Sequence, residues 1–172
     1  MDYVVLVDDS DVEQGVMEKM EAHSKGLLHR AFSVFIFNSA GEMLVHRRAT
    51  NKYHCPGLWT NACCSHPRPA ESNSDAAHRR LQEELGIQTN LREQFSFTYH
   101  AEFDNGLIEH EFDHVFFGTF QGEVPFNRDE VMEIKWVAWN DLEQWINEDS
   151  SAFTPWFKIA LPSVRKRILE NN

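Results

Sequence analysis

Between Pro56 and Gly86 the chain reads PGLWTNACCSHPRPAESNSDAAHRRLQEELG. It places a thiol (Cys64) and an imidazole (His66) just upstream of a segment bearing Arg79, Arg80, Glu83 and Glu84. A thiol can serve as acid, base or nucleophile, and an imidazole as base or metal ligand. A guanidinium clamps anions, and a carboxylate holds a hard cation. Few structural needs gather those four chemistries in so short a stretch, so the segment points to an active site.

Each group also has a plainer explanation. A free cysteine is usually a buried small hydrophobe. Yet Cys63 and Cys64 stand between an aromatic turn and a His-Pro loop, where cations or a metal would lower a thiol pKa. If the stretch is extended, only one of the pair can face a site, and sequence does not select it. A zinc knuckle from Cys55, Cys63, Cys64 and His66 matches no usual structural-zinc spacing. Arg80 and Glu84 lie four apart and share a helix face, either as an exposed ion pair or as a phosphate grip beside a cation ligand. Lys19, Arg47, Arg48 and Lys52 add positive charge, and the guanidinium forks of Arg48 and Arg80 suit phosphate oxygens best.

Further along, Glu109 and Glu111 are two apart on an expected strand, so both carboxylates leave one face and His110 the other. With His23, His29 and His66 they form a ligand type suited to Zn²⁺, Mn²⁺ or Mg²⁺. Spacing alone does not bring these distant residues together.

The elements that must position these groups follow from periodicity. Tyr3–Val7 is a compact apolar strand. Residues 31–37 and 43–47 flank Asn-Ser-Ala-Gly and read as a hairpin, with Gly41 supplying the positive φ. Residues 72–85 form the clearest helix: Ser72 or Ser74 can cap it, Ala77, Leu81 and Leu85 share a face, and Gly86 can end it. Phe95, Phe97 and Tyr99 alternate along one strand, and residues 108–120 and 133–139 make two more. Residues 141–147 read as a short helix. Thr154-Pro155 starts a C-terminal helix that Pro162 should kink or interrupt. Strands interspersed with helices and hairpins imply an α/β sandwich around a mixed sheet.

Composition sets the limits. A chain of 172 residues, with no linker, repeat or low-complexity run, fits one domain spanning residues 1–172, and 42% hydrophobic residues can fill its core. A net charge of −11 argues against a nucleic-acid or anionic-membrane partner, while an anionic small molecule remains possible where cations converge. Three cysteines make no disulfide framework, and neither a signal peptide nor a long apolar run is visible, so a cytoplasmic protein is expected. Thirteen Phe and five Trp suggest an aromatic core or a lined pocket.

Residues 65–87 resemble a Nudix box, G-x5-E-x7-R-E-U-x-E-E-x-G-U, with Glu71, Arg79, Leu81, Glu83, Glu84, Gly86 and Ile87 in register. Ser65 replaces the opening glycine, and Arg80 replaces the glutamate after Arg79. The second departure weakens a hydrolase reading, because that acidic cluster holds the ions that drive diphosphate hydrolysis. A fuller match explains it. From about Val4 to the C-terminal helix the chain resembles the type 1 isopentenyl-diphosphate delta-isomerases, through EAHSKGLLHRAFSVFIFN, LVHRRATNKYHCPGLWTNACCSHP, ESNSDAAHRRLQEELG, IEHEFDHVF and FTPWF. In that family an arginine at the place of Arg80 is expected.

The resemblance implies a Nudix-like α/β/α sandwich around a mixed β-sheet. It implies a reversible allylic proton shift from isopentenyl to dimethylallyl diphosphate in isoprenoid biosynthesis, through a tertiary carbocation. Cys64 is the implied acid/base on one side of the substrate, with Glu111, supported by Tyr99, on the other. His23, His29, His66, Glu109 and Glu111 are the implied ligands of one divalent metal (Mn²⁺, Zn²⁺ or Mg²⁺). Glu84 would hold a Mg²⁺ bound to the diphosphate, Lys19, Arg48, Lys52 and Arg80 would grip phosphate, and Trp156 would wall the pocket and face the cation. The expected partner is a small allylic or homoallylic diphosphate, with no nucleic acid or membrane, and the expected assembly is a monomer or weak homodimer. A Nudix pyrophosphohydrolase and a non-catalytic metal- or nucleotide-binding module are the alternatives; Arg80 speaks against the first, and Cys64, Tyr99 and Glu111 together against the second.

Overall fold

The computed structural model describes residues 2–170. One mixed sheet dominates it. Strand β1 (Tyr3–Val7) pairs antiparallel with β2 (Glu13–Glu18) on one side and touches β3 (His29–Phe37) on the other. A short helix α1 (Lys19–Lys25) joins β2 to β3. Strand β4 (Met43–Arg48) carries β5 (Trp59–Thr60) along part of its length. Strand β6 (Cys63–Ser65) lies antiparallel on β3 and leads into helix α2 (Asn73–Leu85). Strands β7 (Arg92–Glu102) and β8 (Ile108–Thr119) form a long antiparallel pair, and β8 runs parallel to β3 over nine residues. After β9 (Val131–Val137), paired with β4, come α3 (Trp139–Glu148), a 3₁₀ turn (Ser150–Ala152) and α4 (Pro155–Glu170).

Period-two alternation on β3 explains the layers. Phe32, Val34 and Ile36 point to one face, where Ala76, Ala77, Leu81 and Leu85 of α2 cover them. Phe35 points to the other, against Phe157 and Ala160 of α4 and Leu142 of α3. Each face therefore has its own buried cluster, which makes the α/β/α sandwich expected from sequence. Among the described residues no helix is long and apolar enough to cross a membrane.

Local chemistry sets the boundaries near the site. Ser72 caps α2 by accepting from the Asp75 N–H (3.0 Å), and Gly86 ends it at φ 66°. A Cβ at Gly86 would also come within 2.8 Å of Pro125, so glycine answers two demands there.

Three expectations need correction. The turn at 38–41 forms, with Asn38 Oδ1 accepting from the N–H groups of Ala40 and Glu42, but β3 and β4 pair only at Phe37–Met43. Beyond that root they separate, because β6 and β8 take the edges of β3 while β5 and β9 take those of β4. The strand expected through Trp139 stops at Val137, since Ala138 (ψ 150°) is the N-cap of α3 and Trp139 its first residue. Pro162 does not interrupt α4, which buries Trp156, Phe157, Ala160, Leu161 and Val164 along its length.

Candidate active site

Strand faces bring the expected residues together. On β6, Cys63 packs into the α2-side cluster, while Cys64 turns toward the α4 side and lines an inner cavity. Pairing with β3 thus settles which cysteine faces the cavity. On β8, the alternation that sends Val115 to the α4 side also presents Glu109, Glu111 and Asp113 there, and register sets Tyr99 of β7 directly across from Glu111. The same cavity is lined by Lys19, Arg48, Lys52, His66, Arg80, Glu84 and Trp156. It opens into an outer groove that shares Lys19, Lys52, His66 and Arg80.

The parallel β3–β8 pair places His29 beside Glu111. With His23 from α1 and His66 after β6, they offer four ligand atoms all within 4.8 Å of one another. His23 Nδ1 faces the Lys19 carbonyl (2.7 Å) and His29 Nδ1 the Leu27 carbonyl (2.8 Å). A carbonyl only accepts, so both Nδ1 atoms carry hydrogen and both Nε2 lone pairs turn inward. There they meet His66 Nε2, 3.2 Å from His29 Nε2, and Glu111 Oε1, 2.8 Å from His66 Nε2. His23 Nε2 is buried with no hydrogen-bond partner. Inward lone pairs, a carboxylate and an orphaned nitrogen fit a divalent cation. Glu109 stands beside this group; its carboxylate engages His54 and accepts from Tyr99 Oη (2.8 Å).

The electrostatics agree with that arrangement. Burial, reinforced by the charge of His29, pushes His23 down to about 4, and burial pushes His66 down to about 3 against the pull of Glu111. For His29 burial also disfavours the charge, yet the Glu111 hydrogen bond and charge raise it. Burial opposes ionisation of Glu111, but the His29 and His66 imidazoles against its carboxylate hold it well below the usual carboxylate range. Tyr99 Oη lies 2.5 Å from Glu111 Oε2 and 2.8 Å from Glu109 Oε2, so two buried carboxylates compete for its single hydrogen.

Burial and the charge of Asp113 push the Cys64 thiol up to about 12, so a neutral S–H is its resting form. Trp156 Nε1 donates to the sulfur (3.1 Å) and to Thr60 Oγ1 (3.0 Å). Behind the sulfur, Ser33 Oγ (3.7 Å) also donates to Asp113 Oδ2 (2.7 Å). Burial and the nearby glutamates raise the Asp113 pKa well above normal.

At the mouth, Arg80 reaches Glu84 (2.5 Å), Glu83 (2.7 Å) and Glu130 (3.7 Å), and Lys52 pairs with Glu130. Burial disfavours charge on Arg80, but Glu84 and its neighbours raise its pKa. Burial lowers the pKa of Lys19 and Lys52. Arg48 is buried, donates to the His54 carbonyl (3.2 Å) and lies 5.3 Å over the Trp156 ring. Lys19 Nζ is 4.5 Å over the Tyr53 ring.

Cys64, His66, Glu84, Tyr99, Glu109, Glu111, Lys19, Arg48, Lys52, Arg80 and Trp156 thus line one cavity, with His23 and His29 grouped around His66 and Glu111 beside it, whereas Cys63 packs into the α2-side core. Sequence reasoning passed over Ser33, Tyr53, His54, Thr60, Asn61, Asp113 and Glu130. Only Asp113, two residues beyond Glu111 on the same strand face, had a periodic signal. Arg79, by contrast, braces the loop before α2 by donating twice to Glu71 (2.7 and 2.8 Å).

Residues 27–157 match the NUDIX domain family, in keeping with the sandwich, the α2 motif and the ion-ready pocket. DR0079 from Deinococcus radiodurans has the same fold, with a TM-score of 0.76 over 94% of this chain and 98% of that one at 18% identity. Sequence narrows the class. Isopentenyl-diphosphate Delta-isomerase from Burkholderia multivorans is 50% identical over 90% of this chain and 88% of its own length. Isopentenyl-diphosphate Delta-isomerase 2 from Aromatoleum aromaticum is 47% identical over 95% of this chain and 86% of its own. The chain belongs to the isopentenyl-diphosphate Delta-isomerase family within the NUDIX proteins.

Proposed function

We propose that the chain, acting as one domain, isomerises isopentenyl diphosphate to dimethylallyl diphosphate, with Cys64 and Glu111 exchanging protons on opposite sides of the substrate. The observation that carries this reading is the cavity itself: the half-buried Cys64 thiol, whose surroundings favour S–H, and the buried Glu111 carboxylate, whose surroundings favour the ionised form, both line it, with cations at its mouth. Moving a double bond from C3–C4 to C2–C3 requires a proton added at C4 and another lost from C2. One group must begin protonated and the other must begin as a base, and these two differ in that sense.

In the forward direction the Cys64 S–H adds its proton to C4, leaving a tertiary cation at C3. Glu111 then removes a C2 proton, steered by the Tyr99 hydroxyl. Trp156 and the buried aromatic side chains keep out water that would trap the cation, and the Trp156 ring attracts positive charge. Lys19, Arg48, Lys52 and Arg80 bind the diphosphate, and Glu84 would hold a Mg²⁺ that accompanies it. His23, His29, His66 and Glu111, with Glu109 beside them, would hold a second divalent cation, Zn²⁺, Mn²⁺ or Mg²⁺. Such an ion would fix the orientation of Glu111 and temper its basicity.

A hydrolase on the same fold would cleave the diphosphate, so phosphorus NMR with isopentenyl diphosphate and Mg²⁺ separates the two. The isomerase reading expects the diphosphate intact on a new carbon skeleton. Released phosphate or pyrophosphate overturns it.

A further inference from the structure

The Thr-Asn pair that opens TNACCSHP has no part in the reading above, yet Thr60 and Asn61 are almost wholly buried against the thiol. Asn61 Nδ2 donates to the Val34 carbonyl (3.1 Å) and the Cys63 carbonyl (2.9 Å). Both partners only accept, so turning the carboxamide over would set its oxygen against two carbonyl oxygens. The amide is locked, and its Oδ1 faces Thr60 Oγ1 (2.9 Å) and Cys64 Sγ (2.9 Å).

The remaining hydrogens follow by elimination. Indole N–H can only donate, so Thr60 Oγ1 accepts from Trp156 (3.0 Å), and it accepts from Thr154 as well (3.0 Å). The Thr60 hydrogen therefore goes to Asn61 Oδ1. Amide oxygen and sulfur cannot hold a short contact without a hydrogen between them, so the Cys64 S–H points at that same oxygen. The sulfur thus has one fixed acceptor, Asn61 Oδ1, and on its other side the Trp156 N–H, which it shares with Thr60 Oγ1, and the more distant Ser33 hydroxyl.

We propose that Asn61 is the positioning residue of the thiol: its locked carboxamide oxygen parks the Cys64 S–H and fixes the sulfur at the edge of the cavity until substrate arrives. This rests on the isomerase reading, in which that S–H must swing from Oδ1 to C4. One rotation about Cβ–Sγ would make the swing without moving the sulfur away from the shared Trp156 N–H. Asn61 acts through Cys64 and touches no substrate atom.

Raman spectroscopy of the S–H stretch tests this directly. The Cys64 band is assigned as the one that disappears in Cys64→Ala. It is expected below the position of a free thiol in the parent protein, and shifted up in Asn61→Leu. Thr60→Val removes the competing donor on Oδ1, so there the band is expected to move further down. In Asn61→Leu kcat for isopentenyl diphosphate should fall roughly tenfold or more with KM within about twofold, because orientation and not binding is lost.

A parent band at the free-thiol position, an Asn61→Leu band that stays in place, or a loss carried by KM would overturn the proposal. If Asn61→Leu does not fold, the Thr60→Val band decides, and an unmoved band refutes. A parent protein without isomerase turnover would defeat the functional reading, while the Raman shifts would still decide where the thiol points.

Discussion

Replacing Tyr99 with phenylalanine removes one hydroxyl and leaves the rest of the site in place. The ring can stay, since it is stacked on Phe97 (centroids 5.7 Å apart, planes 29°) within the α4-side cluster. What goes is the hydrogen lying between Glu109 Oε2 (2.8 Å) and Glu111 Oε2 (2.5 Å). One hydroxyl hydrogen serves one carboxylate at a time, so a single charge-assisted bond is lost, worth about 1.5–3 kcal/mol. If that bond orients Glu111 as it takes the C2 proton, the loss falls on the chemical step. It converts to a fall in kcat of roughly 10- to 150-fold. KM should hold, because Tyr99 makes no contact with Arg48, Lys52 or Arg80 among its hydrogen bonds. The assay is steady-state turnover of isopentenyl diphosphate, with metal content measured on the same sample. A kcat within threefold of the parent, or a loss that simply tracks loss of metal, would refute the reasoning.

Cys64→Ala should abolish turnover while Cys63→Ala largely spares it, because only Cys64 faces the cavity; equal losses in kcat would contradict the assignment. His23→Ala or His66→Ala should lower bound divalent metal at least roughly tenfold by elemental analysis after dialysis, since each removes one converging ligand atom; full occupancy would contradict the site. His46 gives a pH effect away from that group. It is fully buried with Nδ1 on the Ala62 carbonyl (3.0 Å), and burial lowers it from 6.5 to about 4. The unfolded chain takes up that proton near pH 6.5 and the folded one only near 4. Its contribution is therefore complete above 6.5 and is lost as pH falls toward 4, by roughly 3 kcal/mol at 1.36 kcal/mol per pH decade. Chemical denaturation of the parent and His46→Gln between about pH 7 and pH 4 should show that extra slope in the parent alone, and parallel curves would count against it.

Local signals carried the sequence reading a long way. The Ser72 cap, the Gly86 stop and the Ala77–Leu81–Leu85 face of α2 are all where one helix period places them. Glu109 and Glu111 share a strand face because alternation leaves no other choice. Which of Cys63 and Cys64 meets the cavity was not legible, since β6 has three residues and its face is decided by pairing with β3, some 30 residues away. Convergence of His29 with Glu111 depends likewise on a parallel register between distant strands, which no local pattern encodes. Strand β2 is too polar to announce itself, and Trp139 prolongs an apolar alternation that the backbone abandons at Ala138. Asn61 was invisible for another reason: its importance lies in where its two donors go, and that is a tertiary fact.

The central claim is that two protein groups move two different protons, and running the reaction in D₂O tests it most directly. Isopentenyl diphosphate, Mg²⁺ and the purified protein are incubated in D₂O and followed by proton and deuterium NMR. Protonation at C4 by an exchangeable thiol predicts dimethylallyl diphosphate with deuterium in a methyl group and the diphosphate intact. A product without deuterium would mean a direct hydrogen shift, and free phosphate or unchanged substrate would mean another activity or none; any of these contradicts the account.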